Sequence, residues 1–274
     1  MQNLRVILAV AKKDLATLFR YPTWFISVII WPLIFPLLYI LTSFAYAGPD
    51  KKGLIVFQKV AGTENIMGYI VIGTMVWMAV NITMWNYGGY LREEQLRGTL
   101  ESNWLCPVNK FSILLGAGII SMVLSIMFSV IGIIEYRLIY GIKFTGNLID
   151  WIVVFLILFP GVYGLGMIFA SLILWAKEVN AAVNVARGIM MILCGITYPI
   201  YIMPNWMQAL AKFLPFTFGI QAARDILIMD KTLLETAYNL ILCSGEGIIF
   251  LILGMLVFKL VEKRVKISGS LERF

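Results

Sequence analysis

Histidine is missing from this chain of 274 residues, and only 14% of the residues are charged. Without an imidazole the commonest general base and metal ligand is gone, and no clustered nucleophile and base takes its place, which weighs against a membrane-embedded transferase. Three cysteines, Cys106, Cys194 and Cys243, have neither metal spacing nor the pattern of a secreted disulfide framework, so no metal site is expected. The run Gly-x-x-x-x-Gly-Lys-Ser/Thr occurs nowhere, leaving these residues without a loop of backbone amides and lysine to cradle nucleotide phosphates. Strand-length alternation is lacking as well, which excludes a β-barrel.

What the chain has instead is apolar length. Hydrophobic residues make up 61% and the mean hydropathy is +0.89, whereas about a quarter of the residues in soluble domains are charged. A bilayer core of roughly 30 Å is crossed by about 20 apolar residues in a helix. Six stretches qualify, at 24–44, 66–87, 113–134, 151–174, 183–202 and 240–260. The reading is an all-α polytopic membrane protein, one domain over residues 1–274, lodged in the plasma membrane. No small-residue cleavage site follows the first apolar run, so a cleavable signal peptide is not expected.

Residues 3–20 place Leu4, Ile7, Leu8, Ala11, Leu15, Leu18 and Phe19 at helical spacing, with Arg5, Lys12, Lys13 and Arg20 largely elsewhere. A helix lying on the inner membrane surface fits that pattern; so does a cytosolic helix packed on a soluble partner. The formal charge of +7 is read as membrane topology, with no nucleic-acid partner implied. Cytosolic termini put Arg5, Lys12, Lys13, Arg20, Arg92, Arg97, Lys110, Lys177 and the basic tail on the inner side, against Lys51, Lys52, Lys59, Lys143, Lys212, Arg224 and Lys231 outside. Residues 48–65 form an external loop too short for a domain of its own. Between the last two stretches, Pro199, Pro204 and Pro215 punctuate an amphipathic region containing Trp206. It is too broken for one spanning helix, and short outer-leaflet re-entrant helices over 203–227 are expected.

The loop after the second stretch reads Leu91-Arg92-Glu93-Glu94-Gln95-Leu96-Arg97-Gly98-Thr99-Leu100-Glu101, then Ser102-Asn103-Trp104-Leu105-Cys106-Pro107. Taken alone, it fits a solvated loop whose charges keep it out of lipid. An acidic residue, then Gly-Thr-Leu-Glu, then Leu-x-x-Pro resembles the signature of the ABC type-2 exporter permeases. The order Gly195-x-x-x-Pro199, Met203-Pro204, Trp206, Pro215-x-Thr217 and Arg224 is similar to that family's second hallmark. The resemblance implies the membrane half of an ATP-driven exporter that moves an amphipathic substrate such as a drug, a lipid or a lipid-linked glycan. It also implies two copies of an ATP-binding cassette subunit, which would bind the ATP and magnesium, and a second permease copy, the same or related. Residues 91–106 would be the coupling helix, with Glu94, Arg97, Gly98, Thr99, Leu100, Glu101, Leu105 and Pro107 engaging the ATPase subunit. Residues 3–20 would be its elbow helix.

Helical spacing places Asn180, Asn184, Arg187 and Tyr198 on one face of the fifth stretch, and Trp77, Asn81 and Trp85 on one face of the second. These line a pathway for amphiphiles or serve as polar glue between helices; for Arg187, snorkelling to the inner interface is a further reading. Pro199, Pro204, Trp206 and Pro215 are the candidate outer gate. Glu135, Arg137 and Glu246 are charges inside apolar stretches, each a functional hypothesis by its cost. An ion-coupled secondary transporter using Glu246 and Arg187 is the alternative function, although no clear internal repeat supports it.

Overall fold

The computed structural model of the chain describes residues 2–21, 23–48, 50, 52–176 and 180–268. Five helices among them are long and apolar enough to cross a bilayer: α2 (Thr23–Tyr46), α4 (Ile66–Leu96), α6 (Lys110–Tyr140), α7 (Leu148–Ala176) and α11 (Ala237–Ser268). The helix α1 (Gln2–Arg20) precedes them, and α3 (Lys52–Ala61), α5 (Leu100–Leu105), α8 (Asn180–Leu193), α9 (Asn205–Ala211) and α10 (Pro215–Leu227) are shorter. The described residues contain no strand. The chain is a polytopic helical membrane protein.

Burial ranks the spans. The apolar window of α4 is 83% buried, against 22% for α2 and for α11, so α4 is the centre and the other two are edges. Ile70, Val71, Ile72, Met75 and Val76 of α4 pack with Phe155 and Leu158 of α7 and Phe216 and Ile220 of α10. A second apolar cluster joins Tyr90 and Leu91 at the end of α4 to Leu114 of α6, Leu174 of α7 and Phe258 and Val265 of α11. We call that the inner end. At the opposite end, the Thr145 amide donates to the Leu227 carbonyl, and the Asn65 side chain caps α4 and reaches the Lys143 carbonyl.

Helices α7 and α11 touch backbone to backbone. A Cβ on Gly164 would lie 2.2 Å from the Phe250 carbonyl, and one on Gly254 would lie 2.4 Å from the Gly164 oxygen. With lipid as solvent, such close approach supplies the dispersion contact that apolar burial cannot.

Three expectations change. The fifth stretch is not one long helix: α8 has 14 residues, about 21 Å at 1.5 Å per residue. Gly195, at φ +63°, then breaks it, and the chain continues to a 3-10 turn at Ile200–Ile202 capped by Pro199. The helix expected over 91–106 is two pieces. Residues 91–96 continue α4, Gly98 turns the chain at φ +67°, and α5 starts afresh at Leu100. A left-handed φ costs glycine nothing and other residues about 1 kcal/mol or more. The loop at 48–65 encloses the helix α3. The tight turn expected at 177–180 and residues 269–274 of the tail fall outside the described residues, except that Asn180 opens α8.

Helix α1 shows two faces. Val6 and Val10 pack on the inner cluster, while Leu4, Leu8, Leu15 and Phe19 are exposed. An apolar stripe left uncovered by protein, next to the spans, suits the membrane interface better than a soluble partner.

Candidate functional site

Glu94 organises the loop at the inner end. Its side chain is 4% exposed, and one carboxylate oxygen lies 2.6 Å from Lys13 Nζ of α1. The other oxygen accepts from Thr99 Oγ1 at 2.7 Å and from Asn103 Nδ2 at 2.6 Å. Lys13 also donates to the Tyr90 hydroxyl at 3.0 Å. Burial alone would lower the lysine's pKa, but its hydrogen bonds to Glu94 and Tyr90 prevail and hold it above the usual lysine range. Behind α5, the Lys110 ammonium donates to the carbonyls of Asn103 and Cys106 at 3.0 and 2.7 Å, closing the helix end.

The loop residues therefore divide. Glu94 and Leu100, at 3% exposure each, face inward and fold the loop on itself. Leu96 and Leu105 are 74% and 85% exposed, and Arg97, Gly98, Thr99, Glu101 and Pro107 are also exposed. Arg97 pairs with Glu93 one helical turn back at 3.1 Å. Thr99 faces both ways, since its backbone is at the surface while its hydroxyl holds Glu94. The charge pattern alone gave no means of separating Glu94 from Glu93.

Asn81, Trp85 and Arg187 do converge. They line a cavity of about 500 Å³ between α2, α4, α6 and α8, together with Trp24, Ser27, Trp31, Phe35, Met78, Asn86 and Phe128. The Arg187 guanidinium sits 5.0 Å above the Trp85 ring and donates to Asn184 Oδ1 at 3.1 Å. Trp77 is 2% exposed and belongs to the core, so it does not line this space. Tyr198 lies beyond the break at Gly195, donates to the Ile192 carbonyl and borders a separate cavity of about 420 Å³ near Tyr39 and Phe57. The side chain of Asn180 is outside the described residues. The aromatic wall of α2 was not anticipated, because an apolar run carries no signal of which side faces a cavity.

At the other end Arg224 is the fastener. It is 2% exposed, stacks on the Tyr69 ring at 3.6 Å and donates to the carbonyls of Tyr69, Gly195 and Ile196 at 3.2, 2.9 and 2.5 Å. One planar guanidinium thus ties α10 to α4 and to the irregular chain after α8, satisfying carbonyls that Gly195 leaves outside any helix. Asp225 beside it pairs with Lys231 at 3.2 Å. Pro199 is buried as the cap of the 3-10 turn and Pro215 as the first residue of α10, while Pro204 is exposed and Trp206 is 64% exposed. Glu135 and Glu246 each have one buried carboxylate oxygen without a hydrogen-bond partner among the described residues, and Arg137 is exposed. Neither carboxylate meets Arg187 in an ion pair.

A family model described as "ABC-2 family transporter protein" matches residues 51–256, well over half of the chain. The chain belongs to the ABC-2 transporter family. It is a permease, a transmembrane component of an ABC transporter. The match takes in the loop at Glu94, the cavity walls on α4, α6 and α8, and the Arg224 fastener, and it leaves α1 and α2 outside. No curated protein matches the chain.

Proposed function

We propose that this permease is the membrane half of an ATP-driven exporter in the plasma membrane, with both termini in the cytosol. The observation that carries the reading is the inner loop, whose interior is fastened by Glu94 and Lys110 while Leu96, Glu101 and Leu105 are left exposed. A loop fixed from behind passes a push from a docked subunit into α4 and α1 rather than absorbing it. Two cassette ATPase subunits bind there, one on each copy of a permease dimer, and supply the ATP and magnesium sites.

The chain crosses six times in this reading. It leaves α7 at the inner end beside Leu174 and reaches the opposite end at Gly195, held there by Arg224, so α8 and its flanks make the fifth passage and α11 the sixth. The outer helices α9 and α10 then form the re-entrant cover over 203–227. Basic residues support this orientation more strongly than their bare distribution, because Arg224 is consumed inside the protein and is no outer loop charge. The cavity at Asn81, Trp85 and Arg187 is the passage for an amphipathic substrate, and Pro199, Pro204, Trp206 and Pro215 shape the outer gate.

Co-expression with the cassette subunit tests the proposal. The isolated permease hydrolyses no ATP, and the complex in proteoliposomes exports an amphiphile when ATP is present and the proton gradient is collapsed. Transport that stops with the gradient, ATP still present, would instead support an ion-coupled carrier, the reading that the unpaired Glu246 oxygen favours.

A further inference from the structure

We propose that the cavity between α2, α4, α6 and α8 takes an anionic amphiphile, with an aromatic or alkyl body against Trp24, Trp31, Phe35 and Phe128 and a single acid group on Arg187. This names the substrate class for the cavity read above as the passage, and it rests on that reading.

Charge carries the argument. Arg187 is the one ionisable side chain on the cavity wall, and no carboxylate lines it among the described residues. Among the described residues the guanidinium has no acidic partner: Trp85 covers a face of it, Asn184 accepts one bond, and its Nε is buried with no acceptor. A cation held within an apolar bundle without a counterion is costly, and an incoming acid group would offset that cost with charge-assisted hydrogen bonds. The Trp24 Nε1 donor and the Asn81 Oδ1 acceptor are likewise buried and unpaired. Two donors and one acceptor without partners, on the wall of an aromatic cavity of about 500 Å³, describe a site built for a ligand that brings its own polar atoms. Cationic amphiphiles find no acid there and meet a like charge. The neighbouring inner cavity shares Trp24 and Asn86 and carries Asp14 and Glu93 beside Arg97, so acidic groups lie on its wall and not on that of the proposed site.

The test is binding of matched probes to the full chain in phosphatidylcholine nanodiscs, corrected for empty nanodiscs: dansyl-undecanoic acid, its carboxamide and the corresponding amine. We expect saturable binding of the acid at least about tenfold tighter than that of the amide, a difference of ~1.4 kcal/mol, and weakest binding of the amine. Arg187→Gln should erase the acid's advantage, Arg187→Lys should keep most of it, and Trp24→Phe should weaken the acid more than the amide. Equal affinity for acid and amide, preference for the amine, or an unchanged acid advantage in Arg187→Gln would overturn the proposal. Should Arg187→Gln fail to fold, the ranking of the three probes on the unaltered protein decides. Nanodiscs containing phosphatidylglycerol separate two sources of the same chemistry: displacement of the acid probe assigns the site to a membrane lipid, and undiminished binding assigns it to a free amphiphile. No ATP or partner subunit enters this measurement. Lost probe binding with intact ATP-driven export would sink the ligand class alone, and intact binding without ATP-driven export would sink the exporter reading alone.

Discussion

Replacing Glu94 by glutamine should loosen the inner loop without unfolding the bundle. The amide keeps the volume and one acceptor but loses the ion pair to Lys13 at 2.6 Å, and its NH2 cannot accept from Thr99 or Asn103. Hydrogen bonds to a charged group contribute about 1.5–3 kcal/mol each. Lys13 is 42% exposed, so its share is discounted for solvent, and the ammonium can turn to water once its partner is gone. Thr99 and Asn103 also reach solvent. The sum left is about 2–3 kcal/mol, or about 30- to 160-fold in the opening of the loop. Amide hydrogen exchange over residues 96–106, under conditions where the loop recloses faster than its open amides exchange, reads that factor directly. A cycle with Lys13→Met should give a coupling of about 1 kcal/mol between the two positions. The lysine's raised pKa fixes the sign of the pH dependence. Its contribution is fully present below the ordinary lysine value, about 10.4, and is lost only as pH rises through the higher folded value, so the coupling should be flat between about pH 6 and 9. Unchanged exchange in Glu94→Gln, or a coupling of zero, would show that the loop is held by something other than this carboxylate.

Arg224→Met should cost about 3 kcal/mol or more, since three buried carbonyls lose their donor; the thermal midpoint in detergent reads it, and a wild-type midpoint would contradict the fastener role. Gly254→Val should separate α7 from α11 and depress the yield of folded protein, because even a bare Cβ there meets the Gly164 oxygen at 2.4 Å; normal yield would refute the close packing. Glu101→Ala, exposed at the loop surface, should leave thermal stability within about 0.5 kcal/mol of the parent and weaken capture of the cassette subunit, with full capture counting against a docking role. Glu246→Gln should keep near-normal stability, because no cation is left behind, and ATP-driven export should persist with the proton gradient collapsed.

Hydropathy and short motifs determined what kind of protein this is. Long apolar runs, Gly98-Thr99-Leu100-Glu101 and Pro107, and the prolines after residue 195 sufficed for a helical membrane bundle and for the family, because span length and helix breakers are local properties of the chain. Gly98 and Gly195 act where they stand, by adopting a left-handed backbone, yet their consequences exceeded the sequence reading: one splits the expected coupling helix and the other ends α8 after 14 residues. Which polar groups face inward was decided by tertiary structure alone. Glu93 and Glu94 are adjacent and chemically alike, but only Glu94 falls on the side of α4 that α1 covers, where Lys13 waits 81 residues away in sequence. Arg224, an outer charge in any one-dimensional view, is held inside by hydrogen bonds to carbonyls of Tyr69, Gly195 and Ile196 that only folding brings together. Helical spacing put Trp77, Asn81 and Trp85 on one face, and packing then sealed Trp77 in the core while leaving the other two on the cavity. In a chain this apolar, periodicity cannot separate a wall facing lipid from one facing a cavity or a neighbouring helix. All three select the same side chains, and only the placement of the other helices tells them apart.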